Sequence, residues 1–356
     1  MGDNPDMPDS DGLVRVAVVG TGAFGRNHAR VYRDLQAEPL LGVKLVGVVD
    51  ADKARAKSVA SEFGALAFGS VAELVAAGVD AVSVAVPTVA HLPVARELME
   101  AGVDVLIEKP LASTLAEADE MQAIAAKHNR IVQVGHLERF NPAVRATIPL
   151  LTKPMFFEVH RLSVFTPRSL DVDVVLDLMI HDIDIVLTMA KSQVKEIRAV
   201  GLPILSKKVD IANVRIEFES GCVANFTASR VSTERVRKVR FFQPRQYVSL
   251  DFSRQDVLVL TVDDSAGANA EEDPFNPASV ASSAFPGIAP FKPKVELQEP
   301  LRAELTSFLR AVRERSTPEV SLEQGRNALA VALQIVDTIA QHSQRAHLAE
   351  LTSGLS

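Results

Sequence analysis

The stretch "VRVAVVGTGAFGRNHARVY", residues 14–32, constrains the fold more than any other part of the chain. It passes from an apolar, β-branched run, through three glycines, into a segment of helical character. Gly20, Gly22 and Gly25 stand in the order G-x-G-x-x-G. At a strand-to-helix junction the first glycine makes a tight turn and the second lets backbone approach a pyrophosphate. The third lets helix and strand pack closely, with the phosphates at the helix N-terminus. Alone, the motif is a weak signal, because any glycine-rich turn can match it. Here it opens a strand–helix–strand unit, which is the context it requires. Gly20, Gly22, Ala23, Phe24 and Gly25 are therefore expected to line a nucleotide.

The segments that follow keep alternating. Apolar runs at 43–50, 81–87, 104–110 and 131–136, with a short one near 65–68, are separated by helical periodicities at 23–36, 51–63, 89–101 and 115–128. Strands apolar on both faces, alternating with helices, predict a parallel sheet covered on both sides, a doubly wound α/β (Rossmann) domain over 13–136. Asp50 closes the second strand, where a carboxylate accepts hydrogen bonds from ribose hydroxyls and repels a 2′-phosphate. NAD is thus expected over NADP. The alternative is a helix N-cap, which Asp50 or Asp52 can supply, and Arg55 and Lys57 nearby soften the preference.

After His136 the pattern changes to strands at hairpin spacing around one helix, 171–190. An α+β domain with an open, mostly antiparallel sheet is expected over 137–350. Residues 1–12 read as a disordered tail and 263–287 as a long loop or insertion. The chain of 356 residues carries a net charge of −7, so no basic excess points to nucleic acid or an anionic membrane. Its one cysteine, Cys222, excludes an intrachain disulfide and reads as a buried small hydrophobe. With no signal-peptide pattern and no apolar run of about 18 residues, a cytoplasmic protein is expected. Alternating apolar residues in "VRIEFES" and "CVANFTASRV" suggest an uncovered sheet face, hence a homo-oligomer, dimer or tetramer.

The motifs GTGAFG, Asp50, "VAVPTVAH" (84–91), "EKPLA" (108–112), "GHLERFNP" (135–142) and "DLMIHDID" (177–184) occur in order and at fitting intervals. Together they resemble the glucose–fructose oxidoreductase/inositol dehydrogenase (Gfo/Idh/MocA) family, from about residue 13 to the C-terminal helix. The resemblance implies NAD(P)-dependent oxidation or reduction at a carbinol carbon. It places Pro87, His91 and Glu108 near the cofactor and matches Lys109, Asp177 and His181 to the family's lysine and Asp-x-x-x-His. In those roles His181 is the base for the substrate hydroxyl, since imidazole titrates near neutrality. Lys109 stabilises charge on the same oxygen, and Asp177 orients substrate or imidazole. On a regular helix Asp177, His181, Asp184 and Thr188 form one stripe, expected to border a polar cavity. The bland alternative is a core histidine satisfied by its neighbours.

Arg139, matching the family's R-[F/Y]-x-P element, and Arg161 and Arg168, which precede the helix, are candidates to grip a substrate, phosphate included. Ordinary ion pairing is the alternative. "GHLERFNP" and "RLSVFTPRSLDVDVVLDLMIHDIDIVL" resemble bacterial UDP-N-acetylglucosamine 3-dehydrogenases. That similarity implies oxidation of the sugar 3-hydroxyl, with an aminotransferase downstream in lipid A-type aminosugar synthesis. An inositol or free-sugar dehydrogenase, and a non-catalytic NAD-binding transcriptional regulator, are the alternatives. No Cys/His grouping suggests a metal.

Overall fold

The computed structural model describes residues 12–166, 172–262 and 287–346; Arg168, the tail and the stretch 263–286 lie outside them. The chain divides into two compact units, Met1–Leu137 with Glu299–Leu329, and Glu138–Gln298 with Ala330–Ser356.

In the first unit β1 (Val14–Val19), β2 (Val43–Val49), β3 (Leu66–Phe68), β4 (Ala81–Val84), β5 (Asp104–Glu108) and β6 (Val132–Gly135) form one sheet. Their order is β3-β2-β1-β4-β5-β6, with every registered pair parallel. The order reverses between β1 and β4, and ligands of such sheets bind at the carboxyl ends beside that switch. The helices are α1 (Ala23–Gln36), α2 (Lys53–Phe63), α3 (Val71–Ala76), α4 (His91–Glu100) and α5 (Leu115–His128). Their limits follow local chemistry. The Asp52 side chain caps α2 by accepting from the backbone N–H groups of Ala54 and Arg55. Thr114 and Glu117 form a reciprocal capping box on α5, which ends at Asn129 in the left-handed region, φ 51°.

One boundary differs from expectation. The helix α8 (Pro300–Glu314), assigned from sequence to the second domain, belongs to the first unit. Its Leu301, Leu305, Phe308, Leu309 and Val312 join Val16, Tyr32 and Leu35 in one apolar cluster. An amphipathic helix goes wherever its stripe finds apolar surface, and sequence order does not say where that is.

The second unit holds α6 (Pro142–Thr147), β7 (Phe156–Val164), a π-helical turn (Val175–Met179), α7 (Ile180–Ala190) and β8 (Val194–Leu202). Then come β9 (Ile211–Phe218), β10 (Val223–Ser232), β11 (Val236–Gln243), β12 (Gln246–Asp251), β13 (Asp256–Val262) and β14 (Ile288–Phe291). The last helix, α9, runs Leu322–Arg345. The sheet order is β14-β13-β12-β11-β7-β10-β9-β8. Within it the β10–β7 pair is parallel and the other registered pairs antiparallel. Strand β11, "VRKVRFFQ", escapes a sequence reading because Arg237, Lys238 and Arg240 mask its alternation. Val239 and Phe241 are nevertheless buried.

The argument for an uncovered apolar face needs correction. Val214, Ile216 and Phe218, with Ala224, Phe226 and Ala228, are all buried within this chain. The π turn packs on β10 and α7 on β7. Arg215, Glu217, Asn225 and Thr227 alternate with the buried set, so the opposite face of these strands is polar. Cys222 is buried, and burial pushes its thiol up to about 11, which suits a packing residue rather than a nucleophile.

Candidate active site

At the carboxyl end of β1 the three glycines have three different surroundings. Gly20 has φ +90°, and a side chain there would stand 2.5 Å from the Ala85 carbonyl oxygen. A side chain on Gly25 would collide with the Gly20 carbonyl, so α1 packs against the turn only without one. Gly22 meets nothing within 4 Å, leaving its backbone open to a ligand. A cavity of about 340 Å³ adjoins it, lined by Thr21, Gly22, Ala23, Arg26, Arg55 and Ser58 among others. An open glycine backbone at a helix N-terminus beside this cavity fits a dinucleotide pyrophosphate.

Asp50 ends β2 next to this turn. Its Oδ2 accepts from the Thr21 N–H at 2.6 Å and the Thr21 hydroxyl at 2.8 Å. Its Oδ1 accepts from the Asp52 N–H at 2.8 Å and Arg55 Nη2 at 3.2 Å. Burial alone would raise the carboxyl. The donors of Thr21, Asp52 and Arg55 outweigh it and hold Asp50 below the usual carboxylate range, so it is ionised. The N-cap of α2 is Asp52, which leaves Asp50 as the acid at the ribose position, and Thr21 is the partner that sequence reading missed. Asp50→Ser should raise the ratio of kcat/KM for NADP to that for NAD by about tenfold or more, the size of one removed charge repulsion. An unchanged ratio would show that discrimination lies elsewhere.

Three expected cofactor neighbours take different duties. His91 is 1% exposed, with Nδ1 3.1 Å from the Leu111 carbonyl oxygen and Nε2 3.0 Å from that of Val86. Its ring thus straps the segments after β4 and β5 together rather than facing a ligand, and burial lowers its pKa. Glu108 is likewise buried, its Oε1 3.0 Å from His28 Nε2. A side chain on Gly135 would lie 2.8 Å from that carboxyl, so Glu108 fills the space a residue 135 side chain would need. Pro87 begins the turn after β4, exposed at the carboxyl end of the sheet, and Phe24 is partly exposed in the first turn of α1. Lys109, half-buried, follows directly on β5 at the same end. His28 lies three residues beyond Gly25, nearly one helical turn, and that spacing was the available signal for its pairing with the strand ends.

In the second unit, the helix that carries Asp177 and His181 is irregular. Asp177 lies within the π turn and His181 in the first turn of α7; both are half-buried. Single π turns inside helices are frequent at functional sites. The expected polar stripe does not continue past them. Asp184 is buried and accepts from Arg139 Nε at 2.7 Å, while the Thr188 hydroxyl donates to the Asp184 carbonyl oxygen at 2.8 Å.

Arg161 requires the clearest correction. It is 3% exposed, with Nε and Nη2 donating to the two oxygens of Asp182 at 2.7 and 2.8 Å and Nη1 donating to Glu138 at 3.1 Å. Burial opposes its charge, yet Asp182 and Glu138 more than compensate and raise its pKa. Three of its five N–H groups, the bidentate pair included, go to carboxylates of its own chain, and the guanidinium is buried against them rather than presented to a phosphate. Arg237, registered opposite Arg161 on β11, belongs to the same charge group and was not anticipated. Among the described residues no cluster of three or more His, Cys, Asp or Glu side chains is arranged to hold a metal, and no helix is long and apolar enough to cross a membrane.

Residues 14–136 match the model for the oxidoreductase family with an NAD-binding Rossmann fold, and residues 156–245 match the Gfo/Idh/MocA C-terminal domain. A UDP-N-acetylglucosamine 3-dehydrogenase of Acidithiobacillus ferrooxidans is 34% identical over 333 residues, 93% of this chain and 99% of that one. Its solved structure superposes with a TM-score of 0.81, covering 92% of this chain and 98% of that one at 33% identity. The scyllo-inositol 2-dehydrogenase (NAD(+)) of Bacillus subtilis is 30% identical over 62% of this chain and 68% of its own length. With both domain models matched and the glycine turn, Asp50 and the open cavity in place for a dinucleotide, the chain belongs to the Gfo/Idh/MocA family of NAD-dependent oxidoreductases.

Proposed function

We propose that this chain oxidises the 3-hydroxyl of UDP-N-acetylglucosamine to the 3-ketone, with NAD as acceptor. The observation that carries this reading is the 34% identity to a UDP-N-acetylglucosamine 3-dehydrogenase across essentially the whole of that enzyme. Both the cofactor half and the half expected to choose the sugar are included in that match. NAD, when bound, supplies the acceptor for the hydride that leaves the carbinol carbon.

The chain's own residues do the rest. The Thr21–Asp50 turn and the open Gly22 backbone hold the dinucleotide. In the roles the family resemblance implies, His181 takes the hydroxyl proton as the C–H bond breaks and C=O forms, a step suited to imidazole. Lys109 hydrogen-bonds the same oxygen and stabilises the charge developing on it. Asp177, four residues before His181, favours the protonated imidazole that results. A 3-keto sugar so formed is the substrate class of an aminotransferase, which would install an amine for a lipid A-type aminosugar.

The test is direct. Purified protein with NAD and UDP-N-acetylglucosamine, plus an aminotransferase and glutamate to draw off the ketone, should give NADH at 1:1 with aminated nucleotide sugar. Free N-acetylglucosamine and inositols run in parallel should be turned over far more slowly. NADH from an inositol but not from the nucleotide sugar would reassign the substrate. Binding of NAD with no turnover of any sugar would leave the sensor reading instead.

A further inference from the structure

The first unit contains a carboxyl group that the chemistry above does not use. Glu304 lies on α8, on the face that carries Leu301, Leu305 and Phe308 into the core, and it is 0% exposed. Neither of its carboxyl oxygens meets a hydrogen-bond donor among the described residues. An ionised carboxylate placed there would give up its hydration for nothing, at a cost of several kcal/mol.

The surroundings deepen the problem. The Gln133 amide of β6 donates to the main-chain carbonyl of Glu304 at 3.2 Å. Gln133 and Gly135 share one face of β6 and are registered against Leu106 and Glu108 of β5. Glu108 occupies the space beside Gly135, so both glutamates lie on the face of β6 that carries Gln133 and Gly135, two positions about 7 Å apart along the strand. Glu108, in turn, holds the fully buried His28 of α1. The titratable groups acting on Glu304 are Glu108, Glu319 of the segment after α8, and the buried Tyr32 of α1, whose hydroxyl is 2.8 Å from that of Ser83. His28 stands behind Glu108. Burial first, then the charges of Glu108 and Glu319, raise Glu304 well above the ordinary glutamate range. A negative charge on Glu304 beside the buried Glu108 carboxyl is therefore costly.

We propose that Glu304 is a positioning residue of the hydride-transfer site. It stays neutral, so that the buried contact between Glu108 and His28 persists and fixes the strand end that bears Lys109. This rests on the reading of Lys109 given above. The glycine-turn helix, through His28, and the EKP strand end, through Glu108, are tied to each other at one buried bond. Glu304 is the neutral neighbour that lets that bond persist. When it ionises, a negative charge beside Glu108 loosens the tie and displaces Lys109.

The sign of the pH effect follows. The folded state keeps the Glu304 proton to higher pH than the unfolded chain does. The stability associated with it is therefore complete below the unfolded value of about 4.3 and is lost as pH rises through the folded value. Glutamine cannot ionise. The thermal midpoint of Glu304→Gln minus that of wild type should therefore grow as pH rises above about 4.3 and level off beyond the folded value, a measurement that needs no substrate. The ratio of variant to wild-type kcat should start near one at pH 6 and climb along a one-proton limb at higher pH; taking the ratio cancels pH effects common to both proteins. In the wild-type protein, infrared spectra in D2O should show a protonated carboxyl at pH 7 that disappears along the same limb.

Parallel pH curves for variant and wild type would overturn the proposal, as would loss of most activity in Glu304→Gln at pH 6. Should the variant not fold, the wild-type infrared titration decides alone, and absence of the protonated band at pH 7 sinks the idea. A divergent stability curve with parallel kcat curves would keep the proton on Glu304 but remove its link to Lys109, overturning the positioning role.

Discussion

Lys109→Ala lowers kcat by about 10²–10⁴-fold, the range for a lost proton-transfer or oxyanion-stabilising group, while NAD binding is unchanged. The residue follows β5 directly at the carboxyl end of the parallel sheet, where the glycine turn, Asp50 and the adjoining cavity would hold a dinucleotide by other atoms. Removing its ammonium therefore leaves those contacts alone. Steady-state kcat with saturating NAD and sugar measures the first effect, and quenching or enhancement of NADH fluorescence on titration measures the second. Because Lys109 and His181 are assigned to one oxygen, the double variant Lys109→Ala/His181→Ala should be hardly worse than the more damaging single one, as for groups that act as a unit. Multiplicative losses would separate them, and undiminished kcat in Lys109→Ala would remove it from the chemistry.

A stability effect of comparable weight is expected at Arg161. Arg161→Met leaves Asp182 and Glu138 buried without their cation, and breaking a buried ion pair from one side costs about 3–5 kcal/mol. For a unit of this size that is a fall in thermal midpoint of about 6–20 °C. Removing one of the two stranded charges as well, in Arg161→Met/Asp182→Leu, should recover part of the loss, since an apolar pair of similar volume replaces an ion pair at little cost. Differential scanning calorimetry of the three proteins tests this. If Arg161 served a substrate phosphate instead, the single variant would keep its midpoint and lose sugar affinity.

The contrast between these two residues shows where reading the chain stops. Lys109 was legible because its position depends on local order: a strand ends, and the next side chain stands at the ligand-binding edge. The glycine turn was legible for the same reason, and so was the limit of α1, since backbone geometry and packing at a turn are properties of adjacent residues. For Arg161 the sequence left a substrate grip and ordinary ion pairing with nearby acids, Glu158, Asp171 or Asp173, both open, and ion pairing is what the structure shows, with other acids. Asp182, its bidentate partner, is 21 residues away and reaches it only because β7 and α7 pack together. The stripe on α7 failed in a similar way: the π turn breaks the 3.6-residue count, and Arg139 claims Asp184 from outside the helix. Likewise α8 reads as amphipathic in either domain, and Glu304 within it reads as an ordinary exposed helix residue until its neighbours are known.

By itself, then, the order of residues determined the Rossmann architecture, the dinucleotide turn with Asp50 beside it, and the family, because each rests on short-range spacing and on periodicities of two and 3.6. Tertiary structure alone decided which buried polar groups are paired: Arg161 with Asp182 and Glu138, Glu108 with His28, and the Glu304 carboxyl with none among the described residues. Burial and pairing are properties of surfaces that meet across long stretches of chain, and the energy of a charge depends on what it meets there.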